Sequence, residues 1–473
     1  MITEKIIINT FVEIEKMLED KRMICLKDYK FSKYNHKLIM NGDVYVYNAF
    51  SGGFCRFHDD NREIVSDIDF SENTCLEKIA QLPSDVISGL IKGCFIIPKK
   101  RNEFAIVKSR HFVNRFSDTN SLTLTLIPTM ACNFRCTYCF EADKHYPNNC
   151  MSDEVIDAIL NLIDSRLKEN GQLVITWYGG EPLLRFDIVK KLQSKILRMA
   201  NKKKLTVNSA IITNGYLLTK EVSDELVEPG IRFAQVTIDG TKEIHNSKRI
   251  AANGEGSFDT IIKNILGTNS NLKISIRVNI DKDNIEAMPE FMDYLVKIGI
   301  TRADNISLYF AVVKDYGSEG SALCSHYTVK EYAKEEVRLN EIAYSKGIYI
   351  HKNINPNIYV CGSLTTKAFV IEPDGTIQKC WGLAGDKNSA VGSILNLNCV
   401  DENYMQNQAK WYSWTKFDNP ECKECKVLPI CMGGCPLHTI DEKLNDDYKC
   451  STYKYNMESM LNLIATKYLD DAD

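Results

Sequence analysis

The stretch LTLTLIPTMACNFRCTYCF, Leu122–Phe140, decides how the rest of the chain is read. It opens with alternating Leu and Thr, the pattern of a strand, and then runs straight into Cys132, Cys136 and Cys139. Apolar runs rich in β-branched residues recur downstream: LVITWY at 173–178, SAIIT at 209–213, FAQVTI at 233–238, KISIRVNI at 273–280 and ISLYFAVV at 306–313. Amphipathic helical segments such as DEVIDAILNLIDSRLKEN and RFDIVKKLQSKILRMA lie between them. Six strands alternating with helices imply right-handed βα units and a parallel sheet. A closed barrel of this kind takes eight units, so the spacing predicts an α/β fold built on a partial (β/α)6 TIM barrel. The active site of such a sheet lies at the C-terminal ends of its strands, which is where the three cysteines fall.

The chain has 473 residues, which predicts more than one core. Its formal charge of -4 gives no reason to expect nucleic acid or a membrane surface as partner. No apolar run approaches a membrane span, and MITEKIIINTFVEIEKM interrupts its isoleucines with charge, unlike a signal peptide. The expected location is therefore the cytoplasm. Seventeen cysteines in a reducing compartment point to metal or redox chemistry rather than to a disulfide framework. Ten of them cluster; Cys25, Cys55, Cys75, Cys94, Cys150, Cys324 and Cys399 are scattered and read as packing thiols.

Before Leu122, DVYVYNAF (43–50) and GGFCRFH (52–58) predict a hairpin around Ser51-Gly52-Gly53. SENTCLEKIAQL (71–82) and PSDVISGLIKG (83–93) predict helices, and CFIIP (94–98) a returning strand, together a winged-helix-like unit. After about Asn355 the periodicity thins while cysteines accumulate, as in a lobe organised around cofactors. The chain is thus divided into a front module (1–117), the barrel (118–320), a bridging region (321–354) and a cysteine-rich lobe (355–473).

Three thiolates on one short loop suit three irons of a cubane iron–sulfur cluster and leave the fourth iron without a protein thiolate. A zinc ion with a distant fourth ligand is the other reading of the spacing. The C-x3-C-x2-C loop with Tyr138 before its last cysteine resembles the signature of radical S-adenosylmethionine (SAM) enzymes. That resemblance implies that SAM chelates the open iron and is cleaved, on reduction, to methionine and a 5′-deoxyadenosyl radical that takes hydrogen from a substrate. WYGGEPLL (177–184) is similar to the family's GGEP motif, which implies that Gly179, Gly180, Glu181 and Pro182 approach SAM, with Glu181 accepting from its amino group. ITNG and VTIDG fall where the family holds the SAM ribose and methionine, implying roles for Asn214 and Thr237. Arg277 is read either as a partner of the SAM carboxylate or as half of a surface ion pair.

Downstream, Cys361, Gly375, Cys380, Cys422, Cys425, Cys431, Cys435 and Cys450 resemble the seven-cysteine SPASM extension. The resemblance implies two auxiliary 4Fe–4S clusters, three in all. Cys361, Cys380 and Cys435 would hold the first auxiliary cluster, and Cys422, Cys425, Cys431 and Cys450 the second. The first is one ligand short, so Cys324 or another residue reaches in, or the site is open to a substrate thiolate. Related enzymes that modify ribosomally made peptides begin with a winged-helix-like module that captures the leader of the precursor as an added strand. The resemblance therefore implies a precursor peptide with a leader, an external donor such as flavodoxin or ferredoxin, and a cross-linked product of thioether or carbon–carbon type. An anaerobic sulfatase-maturing enzyme is the rival, with the long front module against it. Asp239, His245 and Arg249 in DGTKEIHNSKR (239–249) are the candidates to position a peptide or take its proton.

Overall fold

A computed structural model of the chain describes residues 26–141, 150–316, 324–348, 354–357, 359–444 and 446–470. The N-terminal stretch weighed as a signal sequence, and Cys25, lie outside the described residues.

The front module starts with strands β1 (Tyr29–Phe31), β2 (Asn35–Met40), β3 (Asp43–Asn48) and β4 (Phe54–Phe57). A short helix at Asp59–Val65, helix α1 (Ser84–Lys92), strand β5 (Ile96–Pro98) and helix α2 (Glu103–Phe116) follow. β3 and β4 form the predicted hairpin; β2 pairs along the other edge of β3, and β5 returns to β1. Asn48 shapes the hairpin turn by accepting from the amides of Phe50 and Ser51. β3 is buried along its whole length because its two faces serve different cores. Val44 and Val46 pack with Phe31, Phe57, Ile79 and Leu90 inside the module. Tyr45 and Tyr47 pack with Leu428, Ile430, Met460 and Leu461 of the distal cysteine-rich lobe. The helix expected over 71–82 is a correction: only the short 3-10 turn Ile79–Gln81 forms. Asp69 accepts from the Ser71 amide and the Thr74 hydroxyl, and these local bonds draw the chain into turns instead.

The barrel strands are β6 (Ser121–Leu126), β8 (Gln172–Trp177), β9 (Thr206–Thr213), β10 (Ile231–Thr237), β12 (Lys273–Ile280) and β13 (Ile306–Val312). All six expected strands are present, neighbours in sequence order and parallel throughout. Two short strands lie between them, β7 (Phe134–Cys136) within the cysteine loop and β11 (Arg249–Ala251), and they pair antiparallel. The outer helices are α3 (Asp153–Arg166), α4 (Phe186–Lys203), α5 (Lys220–Val227), α6 (Lys242–Lys248), α7 (Phe258–Gly267) and α8 (Met288–Lys297). Their apolar faces, such as Ile156, Ile159 and Ile163 on α3, close on Leu124, Ile175, Ile211 and Val236 of the sheet. Helix α9 (Val329–Ser345) begins at a Thr328–Glu331 capping box.

The distal lobe is more regular next to the barrel than its sequence suggests. Strand β14 (Ala368–Ile371) extends the sheet by pairing parallel with β6, and β15 (Thr376–Gln378) and β16 (Gly392–Ser393) follow antiparallel. The nine-stranded sheet is open, and the β6 edge that a closed barrel would bond to its last strand is covered by β14. Helices α10 (Glu402–Ser413) and α11 (Tyr453–Asp470) lie further along the lobe. Among the described residues no helix is long and apolar enough to cross a membrane.

Candidate active site

The cysteine loop is held at the C-terminal ends of the barrel strands by backbone pairing below and polar bonds beside it. In the β7–β11 pair, Cys136 stands opposite Arg249. The Arg249 guanidinium donates to the Tyr138 phenol at 2.6 Å, and the phenol in turn bonds the Asp239 carboxylate. Asn279 donates its side-chain amide to the same phenol at 3.1 Å and its backbone amide to Asp239 at 3.0 Å. Burial pushes the Asp239 carboxyl up, against the pull of Arg249. Loop, β10, β11 and β12 are thereby fastened together by one enclosed network.

DGTKEIHNSKR is therefore part of the scaffold. Asp239 and His245 are fully enclosed and Arg249 is 7% exposed. His245 accepts from the Asp239 amide at 3.3 Å through Nδ1, and its Nε2 meets the Ser257 hydroxyl at 3.1 Å. Burial drives its pKa down to about 3, so the ring is neutral. The expectation that these three side chains meet an incoming substrate does not fit this enclosure; they position the cysteine loop. Tyr138, read as a cofactor contact, has its hydroxyl committed to the same network.

The GGEP turn is likewise directed inward. Gly179 has φ +127, and a Cβ there would stand 2.5 Å from the Thr129 carbonyl. At Gly180 a Cβ would stand 2.3 Å from the Ala131 carbonyl. The glycines admit the protein's own Thr129–Ala131 backbone, the segment that delivers Cys132. The Gly180 amide donates to Thr129 and the Glu181 amide to Ala131. Glu181 is wholly buried and accepts from the Leu183 amide at 3.0 Å, the Thr213 hydroxyl at 2.7 Å and the Asn214 amide at 2.7 Å. The carboxylate ties the ITNG segment to the turn. Pro182 starts the 3-10 turn that follows. Asn214 donates to Asn133 of the cysteine loop at 2.7 Å, and Thr237 is buried at the end of β10. Arg277 bonds Asn279 at 2.7 Å.

Cys132, Cys136 and Cys139 lie near enough that Cys132 and Cys139 each feel Cys136 electrostatically. Burial pushes the Cys132 and Cys139 thiols up to about 12. Beyond the loop, Phe140 packs on Tyr316 at 5.2 Å, Tyr316 meets His438 of the distal lobe at 5.4 Å, and Tyr178 packs on Trp381 of that lobe at 5.7 Å. In that lobe Cys380 is grouped with Cys361 and Cys435. Cys422, Cys425, Cys431 and Cys450 line one cavity together. Cys324 stands elsewhere, beside Lys248, Asp281 and Asp283, apart from the Cys361 group. Among the described residues no three His, Cys, Asp or Glu side chains close on one point as ligands of a single ion do.

Sequence reasoning missed α2, whose buried row is Glu103, Val107, His111 and Arg115. Arg115 donates to the carbonyls of Leu364, Trp411, Tyr412 and Trp414, joining the front module to the distal lobe. Lys379 and Lys416 are also buried, and burial pushes both ammonium groups down to about 7.

Residues 126–295 match the Radical SAM superfamily. The radical SAM cyclopropyl synthase TigE of Paramaledivibacter caminithermalis is 23% identical over 481 residues, 91% of this chain and 95% of that protein. A cysteine-type anaerobic sulfatase-maturating enzyme of Clostridium novyi is 24% identical over 376 residues, 72% of this chain and 96% of that enzyme. The solved structure of native anSMEcpe with bound AdoMet and Cp18Cys peptide superposes with a TM-score of 0.57 at 21% identity, covering 73% of this chain and 98% of that one. The family implies a 4Fe–4S cluster and SAM, and the site accommodates an anionic cluster. The Arg249 Nε is buried without a partner, and its guanidinium lies within electrostatic reach of Cys132 and Cys136. With the cysteine loop, the GGEP turn and the parallel sheet all in their places, this chain belongs to the radical SAM superfamily and is a radical SAM enzyme.

Proposed function

We propose that the protein is a peptide maturase that takes hydrogen from a precursor peptide and closes a cross-link, a thioether from cysteine sulfur to carbon being the first expectation. The carrying observation is the reach of the likeness to TigE over 91% of the chain, whereas the likeness to the Clostridium novyi enzyme stops at 72%. The difference favours a peptide-modifying enzyme with a front module over a sulfatase-maturing one. TigE is named for a carbon ring closure, so carbon–carbon bond formation is the second reading.

When bound, the cluster and SAM supply a 5′-deoxyadenosyl radical at the mouth of the barrel. The chain's own part is positional. Cys132, Cys136 and Cys139 hold three irons; Asp239, Arg249, Tyr138 and Asn279 fix their loop from below; Glu181 fixes the ITNG edge. Gly179, Gly180, Pro182, Asn214, Thr237 and Arg277 form the ground on which SAM lies, with Arg277 free to answer a carboxylate. Cys361, Cys380 and Cys435 hold a second cluster, and Cys422, Cys425, Cys431 and Cys450 a third. A flavodoxin or ferredoxin supplies the electrons. The front module receives the leader as a strand along an edge of its three-stranded sheet.

The test incubates anaerobically prepared enzyme with reductant, SAM and the short peptides encoded beside its gene. A product lighter by two hydrogens, with 5′-deoxyadenosine released, supports the reading. Conversion of a cysteine to an aldehyde would establish the sulfatase-maturing alternative. A Cys132→Ala, Cys136→Ala, Cys139→Ala variant should abolish SAM cleavage and keep about two-thirds of the iron.

A further inference from the structure

Three cations are buried where the front module, the sheet extension and the cysteine lobe meet. Arg115 is 1% exposed, Lys379 3% and Lys416 4%. Among the described residues none of them meets a carboxylate. Arg115 is satisfied by four backbone carbonyls, at 2.7 to 3.0 Å. Lys379 donates to the carbonyls of Thr365 at 2.6 Å and Ala368 at 2.8 Å, between the rings of Phe369 and Tyr412. Lys416 reaches only the Nδ1 of His111, at 3.0 Å, and the His111 Nε2 is buried without a partner. Carbonyl dipoles and a neutral imidazole satisfy hydrogen bonds but supply no opposite charge. Burying one such cation is costly, and burying three close together adds their mutual repulsion.

What the two lysines face is thiol. Lys416 lines the cavity walled by Cys422, Cys425, Cys431 and Cys450. Lys379 lies within electrostatic reach of Cys361, and Lys416 of Cys361, Cys422 and Cys431. The backbone is cut to admit the lysine: at Gly433, φ +87, a Cβ would stand 2.5 Å from the Lys416 Cδ. A cubane held by thiolates is a net anion, and one-electron reduction adds a further negative charge. Cluster potentials respond to such local charge and to burial.

We propose that Lys379 and Lys416 form a built-in countercharge for the iron–sulfur clusters of the distal lobe, favouring their reduced state and raising their midpoint potentials. This rests on the reading that the distal cysteines hold clusters. The electron that reduces each cluster comes from an external one-electron donor and leaves the protein's covalent structure unchanged.

The test is an anaerobic, EPR-monitored redox titration of the full-length holoenzyme with dithionite, following the cluster signals that do not change when SAM is added. Lys416→Met and Lys379→Met each remove one charge while keeping an unbranched stem; Lys416→Arg keeps the charge. Each Met variant should lower the reduced-to-oxidised ratio at a fixed potential about tenfold, a fall of about 59 mV for a one-electron couple, and Lys416→Arg should stay near wild type. Loss of distal iron from the Met variants with its retention in Lys416→Arg also supports the proposal. Unchanged midpoints with iron retained would overturn it, as would iron loss or equal shifts in all three variants. Wild-type enzyme that binds only about four irons refutes the cluster assignment itself, a separate failure.

Discussion

Replacing Gly180 by Ala tests whether the GGEP turn exists to set the cysteine loop. The added Cβ would fall 2.3 Å from the Ala131 carbonyl oxygen and 2.5 Å from that of Met130, where ordinary contact begins near 3.4 Å. Both obstacles are backbone, so no side chain can swing aside, and the two segments must part by about 1 Å. The movement strains the Gly180–Thr129 and Glu181–Ala131 hydrogen bonds, worth about 1 kcal/mol each, on top of an overpacking cost of about 1–3 kcal/mol. It also carries Cys132, the next residue. A misplacement of that size at a reacting centre costs about 10²-fold in rate. Anaerobic reconstitution should therefore leave the cysteine loop incompletely filled, with iron per chain below that of wild type, and 5′-deoxyadenosine formation should fall about 100-fold. Gly89→Ala is the control: nothing lies within 4 Å of its Cβ, and in mid-helix it should stabilise by about 0.5–1 kcal/mol with activity unchanged. A Gly180→Ala enzyme with full iron and SAM cleavage within about twofold of wild type would refute the assignment of this turn to the loop.

Other outcomes follow from the same contacts. Arg249→Met leaves Asp239 buried without its cation and should cost about 3–5 kcal/mol, read as a lower anaerobic melting temperature together with loss of SAM cleavage. Arg115→Leu strips four carbonyls of their donor, and the front module should become cleavable by trypsin near α2 while the barrel resists. His245 has its folded pKa near 3, below the unfolded value of about 6.5, so its contribution to stability is complete above pH 6.5 and declines as pH falls. Between pH 7 and pH 5 the wild type should lose about 2 kcal/mol that a His245→Asn variant does not lose, measurable by chemical denaturation at each pH; parallel curves would contradict the buried, neutral assignment.

Much of the barrel was legible because its signals are local. A strand shows itself within a few residues, by alternation as in LTLTLI or by a nearly continuous apolar run as in ISLYFAVV, and the six runs carry one pattern or the other. The cysteine loop could be placed for the same reason, since it follows the first run directly. Helix α2 escaped notice because Glu103, His111 and Arg115 occupy three of the four places on its buried row, so no apolar periodicity marks it. The signal available was Asn102, which caps it by accepting from Ala105. The segment over 71–82 misled in the opposite sense, its N-cap residues bonding one another instead of a helix.

Cysteine spacing and strand periodicity by themselves determined the parallel sheet and the place of the triplet, because both are properties of consecutive residues. Contacts between distant segments decided the rest. Asp239, His245 and Arg249 became supports of the loop because β11 pairs with β7, and Glu181 turned inward because Thr213 and Asn214 arrive beside it at the end of β9. Cys324 was set apart from the Cys361 group, and β14 was laid on β6, by the same kind of closure. A side chain's type restricts the chemistry it can do, but its burial and partners arise only when chain far away in sequence packs against it.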